Sequence, residues 1–254
     1  MPRASVVLAP MFIVVLALSP AGRPLAVGAD AKSPFAVFVD DYFNASFDAR
    51  PSSGTESGLH QYDDRLEDGS ATAVEKRSAS LKTFQARLDK LRAGTLTEDE
   101  SIDAEILDGD IKSEQLSLDV LQTWRHNPMH YIAGPAGSID GLMKRNFAPP
   151  AQRLRSVIAR LKASPAMFEA LRANVDNPPK EFTDLAIRMG SGSVGFFQKT
   201  LHDWAREAAG NDAALFAEFE AANNRVVKEI TETVAWMKTD LLPRSHGKYA
   251  VGAD

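Results

Sequence analysis

Apolar residues recur at steps of three and four along most of this chain, and no stretch alternates them convincingly with polar ones at a period of two. The spacing predicts an all-α protein, a multi-helix bundle with long antiparallel helices. Phe35, Phe38, Val39, Tyr42 and Phe43 give a short helix with an aromatic face. A turn-rich stretch follows, from Arg50-Pro51-Ser52-Ser53-Gly54 to Asp68-Gly69. Leu81, Phe84, Leu88 and Leu91 then form a packing seam, which Gly94 closes. Thr97-Glu98-Asp99-Glu100 has the form of a capping box, so a helix starts there. Ile102, Ile106, Leu107, Ile111, Leu118 and Leu121 are expected on its buried face. The short link between these two helices predicts an antiparallel hairpin.

Trp124 to Pro150 breaks the pattern with prolines at 128, 135, 149 and 150 and glycines at 134, 137 and 141. It is expected as one irregular Pro/Gly-rich insert. Leu154, Val157, Ile158 and Leu161 resume the helical period. Ser164-Pro165 has the form of a new helix start, N-cap then proline. Asn177-Pro178-Pro179 punctuates before a long helical stretch from about Glu181 to Ala208, with a glycine-rich weak point at 190–195. Asn211-Asp212 caps the last helix, whose seam runs from Leu215 through Phe219, Ala222, Val226, Ile230, Val234 and Met237 to Leu241. Pro243 stops it.

Composition narrows the class. The 254 residues are 44% hydrophobic and carry a formal charge of −5, enough apolar material for a core without staples. With no basic cluster and no run of like charge, nothing points to nucleic acid. The N-terminus is more specific. Met1-Pro2-Arg3 is a short basic region, Ala4 to Ala21 is almost wholly apolar, and Ala29-Asp30-Ala31 offers a cleavage site before Lys32. Residues 1–31 therefore read as a cleaved signal peptide and 32–254 as a single helical domain, periplasmic or secreted. Pro10 and Pro20 leave the apolar run too interrupted for a span of roughly 20 residues, and no membrane span is expected after cleavage. The absence of cysteine rules out disulfides and a lipid-modified cysteine.

Candidate chemistry is sparse. Gly190-Ser191-Gly192-Ser193-Val194-Gly195 matches G-x-G-x-x-G, but that fingerprint needs a preceding strand. Here Phe182, Ala186 and Met189 precede it with helical spacing. A helix kink or a close helix crossing is the better reading. His126 and His130 have the four-residue spacing of a zinc-binding helix, yet Pro128 between them breaks the geometry and Asn127 replaces the usual glutamate. The acidic run Tyr62 to Asp68 lacks the ligand order of a calcium loop and reads as a solvated loop with Asp–Arg hydrogen bonds. No G-x-S-x-G elbow occurs. Arg125, Arg145 and Arg153 could hold an anion, but pairing with surface carboxylates is the simpler expectation.

Five segments taken in order resemble a known family. They are Phe38-Val39-Asp40-Asp41-Tyr42-Phe43, Gly58-Leu59-His60-Gln61-Tyr62-Asp63-Asp64-Arg65-Leu66, Trp124-Arg125-His126-Asn127-Pro128-Met129-His130-Tyr131, Phe147-Ala148-Pro149-Pro150-Ala151-Gln152-Arg153-Leu154, and Asn177-Pro178-Pro179. Their order and spacing resemble the N-terminal part of the bacterial family known as domain of unknown function 885 (DUF885). The resemblance implies exported, mostly helical proteins more than twice this length, similar to gluzincin-type zinc metallopeptidases. Their zinc helix lies in the C-terminal half, as a His-Glu pair followed by Pro-Gly-His.

This chain has neither motif. It therefore reads as the N-terminal half of such a protein, inactive alone, with no catalytic residue, no metal ligand and no cofactor of its own. Zinc is expected only in the missing C-terminal half. The partners implied are that half and peptides. Trp124, Arg125, Asn127, Tyr131 and Arg145 are the candidate lining of a substrate cleft, and the seam of the last helix, with Phe216, Phe219 and Trp236, is the expected docking face for the missing half. The competing expectation is a self-contained periplasmic helical binding or chaperone-like module.

Overall fold

The computed structural model describes residues 32–250; the signal peptide expected at 1–31 lies outside them. Ser33 opens the first helix, α1 (Pro34–Ala49), by accepting the Ala36 N–H on its hydroxyl, with proline at the first helical position. A short helix, α2 (Pro51–Glu56), and a 3-10 turn at His60–Tyr62 follow. Next come α3 (Ala71–Arg92) and α4 (Glu98–Gln115). The capping box at Thr97 forms as expected, with Thr97 Oγ1 and the Glu100 carboxylate exchanging bonds with each other's backbone N–H.

These helices close a first hydrophobic cluster. Phe35, Phe38 and Tyr42 of α1 meet Leu81, Phe84 and Leu88 of α3. Phe84 stands edge-on to Phe38 and Tyr42, with ring centroids 5.9 and 5.5 Å away. The face of α4 that enters this cluster differs from the expected one. Ala104, Leu107 and Ile111 are buried, while Ile102 and Ile106 face solvent. The helix carries two apolar stripes, and α1 and α3 cover only one of them. Leu107 and Ile111 are buried as expected, but small Ala104 rather than Ile102 or Ile106 completes the stripe.

The insert expected to be irregular is mainly helix. A four-residue turn, α5 (Thr123–His126), leads into α6 (Met129–Lys144), which contains Pro135. Tyr131, Ile132, Pro135, Ser138, Ile139 and Leu142 are buried at helical spacing. That burial outweighs the low intrinsic propensity of glycine and proline. Similarly, Ser164-Pro165 does not start a helix: α7 (Pro150–Asn174) runs straight through it. Its seam of Leu154, Val157, Leu161, Ser164, Phe168 and Leu171 keeps three- and four-residue steps across the proline, so packing holds both halves in one rod.

Then come α8 (Lys180–Gly195), a π-helical turn at Phe196–Leu201, α9 (His202–Ala209) and α10 (Ala213–Trp236). Asp212 caps α10 through the Leu215 N–H. Helices α6 to α10 enclose the second, larger cluster. Its tightest crossing is at Gly190, where a Cβ would stand 2.7 Å from Val234 Cγ2 and 2.9 Å from Ile132 Cγ1. Of the glycine-rich motif, only this first glycine is sterically required; Gly192 and Gly195 face open space. Gly190→Ala is expected to cost about 1–3 kcal/mol by overpacking, and Gly192→Ala nothing or a slight gain. Denaturant midpoints of the two variants check this.

The last helix leaves no uncovered seam, contrary to expectation. Leu215, Phe219, Val226, Ile230 and Val234 are buried, and Phe216 and Trp236 pack partly buried against the same cluster. Beyond it the chain is strapped to the α7–α8 link: Gly247 N–H donates to the Pro178 carbonyl, and Ser245 and Thr183 hydroxyls bond at 2.8 Å.

Candidate functional site

Between the two clusters lies an open groove of about 1630 Å³. One wall is polar and comes from α1 to α4 with the turn at 65–69. The other is built by α6, with Met167 of α7 and Met189 of α8. On the α6 side Gly134 and Gly137 fall one turn apart, and a Cβ at Gly137 would meet nothing within 4 Å. Of its apolar lining residues, Met129 and Met189 are partly open to solvent, while Met167 and Tyr131 are buried.

Of the five cleft candidates, Trp124, Asn127 and Tyr131 line this groove, and Arg125 and Arg145 do not. Most of their polar atoms hold the chain rather than face the open space. Trp124 Nε1 donates to the Leu118 carbonyl at 3.1 Å. Tyr131 Oη donates to the Trp124 carbonyl at 2.7 Å and accepts from Asn174 Nδ2 at 3.1 Å. Burial raises the Tyr131 pKa, Asn174 partly offsetting it. Asn127 Oδ1 accepts the Met129 N–H at the start of α6. Arg125 lies over the Trp124 ring, and Arg145 Nη1 donates to the Glu56 carbonyl at 2.6 Å.

The expectation that Arg125, Arg145 and Arg153 pair with surface carboxylates fails. Arg153 is buried, and its guanidinium donates to the carbonyls of Leu142, Met143 and Ala148, closing the end of α6. The acidic turn is also less solvated than expected. Arg65 does pair with Asp48 at 2.7 Å, but Asp63 is buried beside His60, and Glu67 accepts from Ser52.

At the α3–α4 end the polar wall is organised around Arg77. Its Nε and Nη2 grip Glu114 at 2.8 and 2.7 Å, and Nη2 also reaches Ser46 Oγ at 2.9 Å. Burial works to raise the Glu114 pKa, but the hydrogen bonds from Arg77 and the charges of Arg50 and Arg77 hold it below the ordinary carboxylate value. Burial and the Glu114 charge raise the Tyr42 pKa. Neither Arg77 nor Glu114 stood out in the sequence, because Glu114 is one of 34 acidic residues and its partner lies 37 positions away.

The side chains do not suit a zinc ion. His126 ends α5 and His130 lies in α6, with Pro128 between them, and among the described residues no group of three or more His, Cys, Asp or Glu converges. Nor is any helix among them long and apolar enough to cross a membrane.

Fold and groove together define an all-helical protein with two hydrophobic clusters and an open trough between them. Residues 51–254 match the family described as "Bacterial protein of unknown function (DUF885)", and the chain belongs to that family. It is also similar to a solved structure from Shewanella oneidensis described as "a putative lipoprotein of unknown function". The TM-score is 0.75 and the identity 28%, over 85% of this chain and 40% of that one. The chain thus spans less than half the length of that structure. No curated protein matches it.

Proposed function

We propose that this chain is the non-catalytic helical part of a longer, exported metallopeptidase-like protein, in which its groove forms one wall of a peptide-binding cleft. The observation that carries this reading is the groove, about 1630 Å³ of open space with a polar wall facing a small-residue and thioether wall. Such a lining suits an extended peptide. Gly137 lets a peptide backbone come close to α6, whereas the space beside Gly134 is filled by the Met167 methyl. Met129, Met167 and Met189 adapt to varied side chains, because thioethers are flexible and polarisable. The greater length of the Shewanella structure supports the part of the reading in which this chain belongs to a longer protein. Trp124, Asn127 and Tyr131 shape the groove end; Arg125 and Arg145 act through the loop they fix. Any metal of the longer protein is held outside this chain, which contributes binding alone.

Gly137→Trp fills the groove from an open, exposed position. Anisotropy of a labelled hexapeptide of alanine and leucine is expected to report binding that weakens about tenfold in the variant, or 1.4 kcal/mol, with an unchanged melting curve. No binding by the native chain, or equal binding by both, removes the reading. One observation favours the self-contained periplasmic binding module instead, namely the covered seam of α10. A monodisperse chain that melts in one sharp transition supports that alternative, and a broad transition supports the part of a longer protein.

A further inference from the structure

The side of α4 turned away from its hairpin partner, with the π-helical turn Leu116–Val120 that continues it, carries apolar residues that none of the described residues covers. Ile102 and Ile106 are 54% and 58% exposed, and Leu116 and Val120 are 49% and 71% exposed. With Gly109 and Ser113, also exposed, they step by four and three residues in turn, the spacing of a coiled-coil seam. At Gly109 a Cβ would meet nothing within 4 Å, so the seam has a dimple between bulky residues. The hairpin itself needs none of this, since Ala104, Leu107 and Ile111 supply its buried face. Single exposed apolar residues are ordinary, but two exposed apolar pairs on one side of a helical rod, Ile102 with Ile106 and Leu116 with Val120, mark an interaction surface.

The charges beside the seam say what fits there. Glu98, Asp99, Asp103, Glu105 and Asp110 are exposed, and none forms an ion pair among the described residues. By contrast, Asp108 is held by Lys112 and Arg92, and Glu114 by Arg77 and Arg50. We infer that this face docks a basic amphipathic helix of a partner polypeptide. Its apolar residues would pack on Ile102, Ile106, Leu116 and Val120, and its lysines or arginines would pair with the five carboxylates. A second copy of this chain would set the same carboxylates against each other across a two-fold axis. An anionic lipid surface would be repelled in the same way. Asp110 and Ser113 also border the groove, but the inference does not rest on what the groove binds.

The test uses the full chain and two labelled 21-residue helical peptides with leucine at seam positions, one flanked by lysine and the other by glutamate. The lysine peptide is expected to bind and the glutamate peptide not. Binding should fall at least tenfold in Ile102→Ser/Ile106→Ser, which removes only exposed groups. It should also fall in Asp103→Asn/Glu105→Gln and on raising salt from about 50 to 500 mM, where screening shortens the reach of charge to a few ångströms. Equal binding of the two peptides overturns the inference, as does a double isoleucine variant that folds and binds like the native chain. A native dimer that the isoleucine variant dissolves also overturns it and assigns the face to a second copy.

Discussion

Arg160→Ala is expected to destabilise the fold by roughly 3–5 kcal/mol, the range for stripping a buried charge from its partners. Arg160 is 1% exposed. Its Nη2 donates to Thr55 Oγ1 at 2.6 Å and to the Tyr62 carbonyl at 3.1 Å, while Nη1 donates to the Ser138 carbonyl. One side chain on α7 thus ties together α2, the 60–62 turn and α6. Burial lowers its pKa, and the nearby carboxylates of Glu67, Asp63, Asp64 and Glu56 oppose that. Alanine would remove three hydrogen bonds, leave Thr55 Oγ1 without its donor from α7, and take from buried Asp63 a nearby positive charge. Arg160→Lys keeps the charge but lacks the fork that reaches three acceptors, so less than half the loss should be recovered. Denaturant unfolding gives the size of the effect. Limited proteolysis of the variant should cut first within 57–70, a segment that helps wall the groove. A loss below about 1 kcal/mol would mean that other contacts hold this turn.

Arg77→Ala should cost about 1.5–3 kcal/mol, because Glu114 loses two charge-assisted hydrogen bonds and keeps only the longer pair with Arg50 at 3.5 Å. Replacing both residues with apolar ones of similar size should cost less, because no lone charge then remains. The pair also predicts a pH dependence. Because Glu114 has a lowered pKa in the fold, its contribution is fully present above the unfolded glutamate value of about 4.3. It is lost as pH falls through the lower folded value. Unfolding measured from neutral pH down to about 2.5 should show stability falling across that acid window. Glu114→Gln, less stable at neutral pH, should lose less over the same window. Parallel acid limbs for the two proteins would show that Glu114 does not carry this dependence.

Local signals in the sequence were read correctly where a single element supplied them. The capping box at Thr97 and the Asp212 cap place their helices, and the seams of α3 and α10 name their buried residues. Misreadings arose where tertiary packing overrode a local cue. Pro135 and Pro165 lie inside helices because buried seams run on either side of them. Ile102 and Ile106 are exposed because, among the described residues, α4 has a neighbour on one side alone. The groove was the least legible feature. Its thioether wall draws Met129, Met167 and Met189 from three helices, and no spacing in the chain links them. Gly134 and Gly137 share one face of α6, a spacing that the nearby prolines obscure in the sequence. Trp124, Asn127 and Tyr131 were found through their motif, yet what they do most visibly is hold the start of α6 in place.

The central claim is that peptides bind in the groove between the two clusters. A peptide carrying a benzophenone side chain, irradiated with the full chain and mapped by mass spectrometry, tests this most directly, since the photoproduct forms readily at methionine. The account predicts adducts at Met129, Met167 or Met189, suppressed in Gly137→Trp. Adducts confined to other surfaces, or spread evenly and unchanged in that variant, would contradict it.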